Sequence, residues 1–541
     1  MNETGNKRLF WGCFIALIAT AFGFIVRAMI MDDWQKQFGL SETQKGQLFG
    51  VGLWPFAISI VLFSLIIDRI GYGVAMVFAF ICHTASMVIT MCAPMMLAGE
   101  GATQEQVAAG QKSGYWMLYL GNFIVALGNG TVEAVINPVV ATIFARQKTK
   151  WLNILHAGWP GGLVVGGIIA LSMGATPWTY KVGLLAIPVV LYAVMLIGCK
   201  FPVSERVAAG VSYRDMLKEV GFLGAFVVVA LIVAEVTNVL TQLEFIFKNR
   251  EYWETVVYSM NIPGLGVKTI TNESSVYWGI VGAISLAFGL YTMSLGRIMF
   301  FLLLCIMVPL ATTELGTDSW ISDLMTPAME KMGLKGGYVL VYTSLIMMVL
   351  RFFAGPIVHA ISPVGLLAVS SAIAAVGLFG LSYASGYAVL AVATLYGFGK
   401  TFFWPTMLGV VAERFPKGGA LTLNITGGVG MLGVGVVGAA LLGNIQDKEI
   451  DKKLKTDHVA VHSQVMDDTK NSVFGQYQPV NKDKLEKQDK SVQEIVKNVG
   501  NEAKKTALKT VAIFPIIMLV FYLLLFAYFK STGGYKQADI H

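Results

Sequence analysis

The chain alternates long apolar runs with short polar connections. Fourteen runs are long enough to cross the roughly 30 Å hydrocarbon layer of a bilayer as helices. They lie at 9–31, 46–67, 74–97, 115–144, 152–173, 182–199, 220–243, 276–294, 297–313, 337–357, 364–383, 387–411, 419–443 and 509–529. The first run is too long for a signal-peptide core and has no small-x-small cleavage site, so we expect it to be retained. The pattern predicts an all-α integral membrane protein with about 14 transmembrane helices.

Composition supports this prediction and isolates one unusual segment. Charged residues make up 13% of the 541 residues, against about 25% in soluble proteins. Residues 444–507 alone contain 12 lysines, 7 aspartates and 4 glutamates, so the rest of the chain is still more apolar. A cytosolic enzyme, a nucleic-acid binder and a disordered scaffold are therefore excluded. We expect a long, solvated external loop at 444–507; the alternative is a surface helix over 482–508.

Lysine and arginine in the connections orient the predicted helices. With the N-terminus in the cytosol, the short cytosolic connections and tails carry fifteen of these residues and the short external ones carry nine. This bias predicts a multi-pass protein of a bacterial inner (plasma) membrane with both termini in the cytoplasm.

No constellation typical of an enzyme, metal site or channel is present in the sequence. The five cysteines show no C-x-x-C spacing, and the six histidines form no H-E-x-x-H motif. There is no repeated segment typical of a selectivity filter. We therefore expect no disulfide, no metal, no cofactor and no enzymatic activity.

Two distant segments share one arrangement, which indicates an internal repeat. In each, an ionisable residue lies five positions before a proline, deep in an apolar run, and a basic residue follows at the cytosolic exit. The segments are Glu133 to Pro138 with Arg146, and Lys400 to Pro405 with Arg414. The repeat predicts two six-helix halves, 1–200 and 297–541. The central connection, 201–296, then carries two extra transmembrane helices.

Parallel repeats of this kind are common in secondary transporters. The segment Ser64–Gly71 (SLIIDRIG) resembles the G-x-x-x-D-R-x-G loop of the major facilitator superfamily, with Ser64 in place of the first glycine. Glu133-x-x-x-Asn137-Pro138 is similar to the fourth-helix motif of the fucose/galactose/glucose–proton symporters. Arg351-Phe352 and Trp404-Pro405-Thr406 also resemble that branch. The resemblance implies the major facilitator fold.

The chain also departs from these families in its first helix. Fucose permeases have an aspartate there, whereas this chain has Arg27, with Asp32 and Asp33 only at the outer end. The two extra helices resemble the topology of bacterial oligopeptide transporters, but the first helix lacks their E-x-x-E-R motif.

Among the ionisable residues within or at the end of apolar runs, we single out four that lie at bilayer depth: Arg27, Glu133, Glu314 and Lys400. Each costs at least about 2.5–3.5 kcal/mol at bilayer depth, so we expect them to face a cavity or a partner. The resemblance implies that helices one, four, seven and ten line the central cavity. We therefore expect the four charges to meet there and to pair across the halves, with Lys400 as the counter-ion of Glu133.

Polar neighbours extend this candidate site. Asn122, Asn129, Glu133 and Asn137 fall within an arc of about 80° on the fourth helix. Tyr396, Lys400 and Trp404 form a similar stripe at four-residue spacing. Aromatic faces and amides beside charges suit a polyhydroxylated or zwitterionic solute.

Each candidate has a functional and a structural interpretation. We assign proton coupling to Glu133 and gating to Asp68 and Arg69, which would latch neighbouring helices. The predicted substrate-binding residues are Arg27, Asn129, Asn137, Glu314, Tyr396, Lys400 and Trp404. The structural alternatives are an Arg27 that only reaches the outer interface, a Glu314 that with Asp318 caps a helix end, and aromatic residues that only fill the core.

The sequence thus predicts a secondary active transporter that moves a small polar solute, sugar-like, by alternating access with proton symport. One alternative is a transporter of a small organic anion, zwitterion or peptide bound through Arg27 and Lys400. Another is a non-transporting receptor of the same fold. We expect the solute, protons and the lipid bilayer as partners, no nucleic acid, and a monomer.

Overall fold

A computed structural model describes residues 3–540, apart from 41, 243–245, 247–251, 254, 263–265 and 473–474. Two of the basic residues counted for orientation, Lys248 and Arg250, lie outside the described residues. The described chain is helical almost throughout, in agreement with the predicted all-α membrane class.

The first six apolar runs form nine helices, because several runs are interrupted. These are α1 (Glu3–Phe38), α2 (Glu42–Gly50), α3 (Trp54–Ile70), α4 (Tyr72–Cys92), α5 (Gln104–Ile143), α6 (Lys148–His156), α7 (Gly158–Ser172), α8 (Trp178–Gly183) and α9 (Ala186–Leu196). Short 3-10 turns follow α4 and α5, at Ala93–Met96 and Ala145–Gln147. Helix α5 begins with a capping box in which Thr103 and Gln106 satisfy each other's backbone N–H groups.

The central connection contains the two extra helices. A short helix, α10 (Glu205–Ala208), precedes α11 (Tyr213–Gln242), and α12 (Asn272–Thr292) packs antiparallel to α11. A hairpin of β1 (Val256–Ile262) and β2 (Gly266–Thr271) lies between them. Gly221 of α11 has a φ of +54°, and a side chain there would overlap the backbone of Gly296. The start of α11 is thereby held against the connection that follows α12.

The second set of six runs is more interrupted than the first. It comprises α13 (Ile298–Ala311), a π-helical segment (Thr312–Gly316), α14 (Thr317–Glu330), α15 (Gly337–Phe352), α16 (Ala354–Ile361), α17 (Pro363–Leu381), α18 (Ala388–Lys400), α19 (Phe403–Arg414), a 3-10 turn (Pro416–Gly418), α20 (Gly419–Gly433), a second π-helical segment (Val434–Ala439), α21 (Ala440–Asp457) and, at the end, α25 (Ile513–Ser531). The two π-helical segments pack against each other through Gly316 and Gly438. The chain bends by 68° at the break between helices α15 and α16.

The expected solvated loop at 444–507 is wrong: the described part of this segment is folded. Helix α21 continues to Asp457 and is followed by α22 (Val459–Val465), β3 (Lys470–Ser472), β4 (Gly475–Tyr477), α23 (Lys482–Glu486) and α24 (Lys490–Val511). The apolar residues Leu454, Val461, Val465, Val496 and Val499 form a separate core there. The alternative, a surface helix over 482–508, agrees better with the structure, because α24 covers most of that range and its apolar stripe packs against α21.

The count of membrane crossings agrees with the sequence apart from one run. In the described part of the chain, twelve helices are long and apolar enough to cross a membrane, and thirteen when the bent pair α15–α16 is counted. The two runs that only Ser294, Gly296 and Arg297 divide are separate helices, α12 and α13. The run 387–411 is split into α18 and α19 at Thr401 and Phe402, so neither piece is long enough alone.

Helices from the two ends of the chain pack together around the centre. Helix α1 contacts α7 and α9, α3 contacts α20, and α6 contacts α19. The extra helix α12 exposes most of its surface, as expected of a helix against lipid. The division into related halves at 200 and 297 stays a prediction.

Candidate functional site

Two small cavities lie at the centre of the helix packing. The larger, of about 50 Å³, is lined by residues that include Arg27, Asn129 and Asp318. The smaller, of about 20 Å³, is lined by residues that include Glu133, Glu314, Arg351 and Trp404. Both touch the same four apolar side chains, namely Phe56, Trp159, Leu315 and Met431. These four residues form a shared wall between the polar groups of the two cavities.

Arg27 lies on the wall of the larger cavity. Its Nη1 donates to Asn122 Oδ1 at 2.8 Å, and its Nε donates to the carbonyl of Gly23 at 3.2 Å. No ion pair of the described residues includes Arg27. The expectation that Arg27 pairs with a charge of the other half is therefore wrong. Arg27 instead keeps an unneutralised charge beside the cavity.

Glu133 is 6% exposed and also has no basic partner in the described part of the chain. Asn137 Nδ2 donates to Glu133 Oε2 at 2.6 Å, and Asn137 Oδ1 lies 2.8 Å from His156 Nε2. The expected ion pair between Glu133 and Lys400 is wrong, since Lys400 pairs with Asp318. Asn137 thus links Glu133 to His156 of α6.

Glu314 forms a buried ion pair with Arg351, whose Nη2 donates to Glu314 Oε1 at 2.7 Å. Arg351 Nη1 donates to the carbonyl of His156 at 2.7 Å, and its Nε donates to the carbonyl of Thr401 at 2.6 Å. The N–H of Trp404 donates to Glu314 Oε2 at 3.1 Å.

The ion pair satisfies backbone groups that helix breaks leave without partners. The carbonyls of His156 and Thr401 lie where α6 and α18 end, and the N–H of Trp404 lies in the first turn of α19. Arg351 and Glu314 therefore join the ends of three helices, one of them from the first half of the chain.

Lys400 and Tyr396 lie behind the cavities. Lys400 forms its ion pair with Asp318 and lies 5.1 Å from the centre of the Tyr396 ring, while the Tyr396 hydroxyl donates to the carbonyl of Thr313 at 2.7 Å. The predicted continuous stripe of Tyr396, Lys400 and Trp404 is wrong, because the helix breaks between Lys400 and Trp404.

Asn129 is held by a residue that sequence reasoning missed. Its Oδ1 lies 3.0 Å from His83 Nε2, and His83 Nδ1 lies 3.1 Å from the hydroxyl of Tyr192. His83 and Arg351 both lie inside apolar runs, so a full census of polar residues in those runs would have found them. Asp318 was considered only as a helix cap.

Polar contacts between the two ends of the chain close one face of the protein. Thr149 donates its N–H and its hydroxyl to Glu413 Oε1, at 3.1 and 2.6 Å. Asn153 Nδ2 donates to Thr406 Oγ1 at 3.1 Å, and Lys148 Nζ donates to the carbonyl of Ala412 at 3.3 Å. This face carries Arg69, Arg146 and Arg414, and we call it the predicted cytosolic face.

A family comparison identifies the architecture. The model of the Major Facilitator Superfamily matches residues 12–439. The chain belongs to this superfamily. Its members are transporters, and the chain is accordingly a multi-pass membrane protein with a transporter fold. No curated protein sequence gives a significant match.

Solved structures of the superfamily share the fold at low sequence identity. The proton:xylose symporter XylE is 12% identical with a TM-score of 0.60, over 97% of this chain and 96% of that one. The E. coli fucose:proton symporter FucP is 13% identical with a TM-score of 0.51, over 93% and 98%. The human organic anion transporter MFSD10 is 11% identical with a TM-score of 0.54, over 96% and 100%.

The loop that resembles the superfamily motif lies at the closed face. Asp68 accepts hydrogen bonds from Arg206 Nη2 at 2.5 Å and from Ser204 Oγ at 3.0 Å. Arg69 lies 5.5 Å from the centre of the Tyr213 ring. Asp68 thus contacts the segment between α9 and α11, Arg69 contacts the first residue of α11, and neither lines a central cavity. The gating role stays a prediction.

Proposed function

We propose that this protein is a proton-coupled transporter that takes up a small polar, sugar-like solute across a cell membrane by alternating access. The observation that carries the proposal is whether each buried carboxyl group at the cavities has a basic partner. Glu314 and Asp318 each have a basic partner, whereas Glu133 has none among the described residues. A carboxylate without a counter-ion is costly at this depth, and binding a proton removes its charge.

Three neighbouring small cavities lie in series toward Glu133. A further small cavity, lined by Met31, Leu48 and Arg27 among others, shares part of its wall with the larger central one. These cavities therefore extend one after another from the outer part of α1 toward Glu133, while the predicted cytosolic face is closed. This arrangement supports a state that loads from outside.

Transport then requires that the predicted cytosolic face opens while the opposite face closes. In the proposed cycle, Glu133 takes a proton and the solute binds beside Arg27 and Asn129, where the cavity of about 50 Å³ widens to admit it. Opening of the predicted cytosolic face separates Thr149 from Glu413 and Asn153 from Thr406. Glu133 then releases its proton inward together with the solute. XylE and FucP, which share the fold, are sugar–proton symporters, and this supports the same chemistry here.

The test of proton coupling is the variant Glu133→Gln in proteoliposomes. We expect it to retain solute binding and exchange but to lose accumulation driven by a pH gradient, because glutamine has no proton to release. Radiolabelled sugar uptake with and without a gradient measures both properties. Glu494→Gln, on the exposed side of α24, is the matched control. Gradient-driven accumulation by Glu133→Gln at the native level would contradict the proposal.

Arg27 favours a second candidate, a solute that carries a carboxylate. An arginine without an acidic partner on the cavity wall is suited to a bidentate carboxylate. If the solute is anionic, Arg27→Lys should weaken binding and Arg27→Ala should abolish it, in a binding screen of sugars, carboxylates and peptides at two pH values. Sugar binding that survives Arg27→Ala would favour the neutral solute.

A further inference from the structure

A cavity of about 320 Å³ lies at the predicted cytosolic face; it shares no lining residue with the central cavities and is several times larger. It opens between the start of α13, the end of α19 and the C-terminal tail. Its volume is in the range of about 300–1,000 Å³ that small-molecule sites occupy. Neither the proposed transport cycle nor the superfamily match assigns it a role.

Three cationic side chains line this cavity, from separate elements. They are Arg297 before α13, Arg414 at the end of α19 and Lys417 in the turn that follows. Two carboxyl groups, of Glu219 and Asp539, also line it. Glu219 is engaged by Arg297, whose Nε lies 3.1 Å from Glu219 Oε1. Among the lining residues, Asp539 is therefore the remaining carboxyl group, and Arg414 and Lys417 are the remaining cations.

The two remaining cations keep unused hydrogen-bonding capacity. Arg414 Nη1 donates to the carbonyl of Lys536 at 2.7 Å, but its buried Nε has no acceptor among the described residues. Lys417 takes part in no ion pair of the described chain. Ile298 and Met299, in the first turn of α13, also line the cavity, and the start of a helix favours negative charge.

The position of the cavity relates it to the membrane surface. Ile298 is 68% exposed and begins the apolar helix α13, so we expect the hydrocarbon layer to begin near this level. The cationic groups just before it therefore lie where lipid headgroups and cytosolic solutes meet.

We propose that this cavity binds a phosphate-bearing anion, either the headgroup of an anionic phospholipid or a soluble phosphate compound. Guanidinium and ammonium groups that converge from separate elements are the usual partners of phosphate oxygens. Because Ala538 and Asp539 form one wall, the bound anion joins α13 and α19 to the C-terminal tail. Tyr535 of this tail donates to Glu413, which is itself part of the closed face. Occupancy therefore stabilises the closed conformation.

The first experiment follows thermal unfolding of the purified full chain in non-ionic detergent, with inorganic phosphate against chloride at matched ionic strength. We expect phosphate to raise the unfolding temperature. In Lys417→Gln the half-maximal phosphate concentration should rise about fivefold, the effect of one lysine charge. It should fall in Asp539→Asn. Arg214→Gln, an exposed arginine of α11 outside the cavity, should respond like the native chain.

A second arm separates the two sources of phosphate. The native chain and Lys417→Gln are compared in nanodiscs of phosphatidylcholine with and without phosphatidylglycerol. If phosphatidylglycerol protects the protein and inorganic phosphate does not, the site binds a lipid headgroup. If inorganic phosphate protects, with or without an effect of phosphatidylglycerol, the site binds phosphate itself. The proposal is overturned if neither protects, or if Lys417→Gln and Arg214→Gln respond as the native chain does. Binding is measured without solute, so this result is independent of the proposed transport.

Discussion

At the residue scale, the buried charges differ in whether each has a partner. Arg351 and Glu314 neutralise each other, and Lys400 and Asp318 do the same. Among the described residues, the side-chain partner of the Glu133 carboxyl group is the neutral side chain of Asn137. The paired residues are suited to holding helices in place, while the unpaired carboxyl is suited to exchanging a proton.

The Arg351–Glu314 pair gives a stability prediction. Arg351→Met should destabilise the protein by about 3–5 kcal/mol, because it leaves the Glu314 carboxylate buried without a counter-ion. Adding Glu314→Gln should recover part of this loss. Thermal unfolding in detergent measures both effects, with Arg214→Met as the control for loss of an exposed arginine. A double variant less stable than Arg351→Met alone would argue against this account of the pair.

The sequence was informative about which residues are buried charges and uninformative about their partners. Arg27, Glu133, Glu314 and Lys400 are recognisable because each interrupts an apolar run. Pairing depends on how each helix is rotated and where it breaks, and neither property is encoded locally. Three expected features were wrong for that reason: the Glu133–Lys400 pair, the pairing of Arg27 across the halves and the continuous stripe from Tyr396 to Trp404.

At the element scale, the Arg351–Glu314 ion pair lies where helices are irregular. Glu314 is in a π-helical segment, and the break between α18 and α19 frees the carbonyl that Arg351 binds. π-Helical turns are frequent at functional sites because they reorient a side chain within a helix. In this protein the irregular backbone faces other helices or a cavity, which is where membrane proteins tolerate it.

The contact of α6 with α19 gives a prediction about the closed face. A side chain at Gly409 would overlap Thr149, so Gly409→Val should separate the two helices and favour opening of the predicted cytosolic face. A cysteine at Asn153 should then be labelled several-fold faster by a thiol reagent. Gly279→Val in α12, where no atom lies within 4 Å of the added carbon, is the control. Equal labelling rates in the two variants would show that this contact does not hold the face closed.

At the scale of the whole molecule, the distribution of basic residues predicts how the protein is oriented in the membrane. In this orientation the segment 440–511 lies outside the cell and the C-terminal tail lies in the cytosol. We expect Glu494→Cys to be labelled by a membrane-impermeant thiol reagent in intact cells, and Gln537→Cys to be labelled only after permeabilisation. The five native cysteines are replaced by serine in both variants. The physical reason is the excess of lysine and arginine on the side that remains in the cytosol. Labelling of Gln537→Cys in intact cells would refute the orientation.

The sequence by itself determined the membrane class, the positions of the apolar runs and the resemblance to the superfamily. These depend on hydropathy, on run length and on short motifs, all of which are local along the chain. The tertiary structure decided the partners of the buried charges, the folded state of 440–511 and the closed face. Each of these joins residues far apart in sequence, such as Arg351 with the carbonyl of His156, and only the packing of helices brings such groups within hydrogen-bond distance.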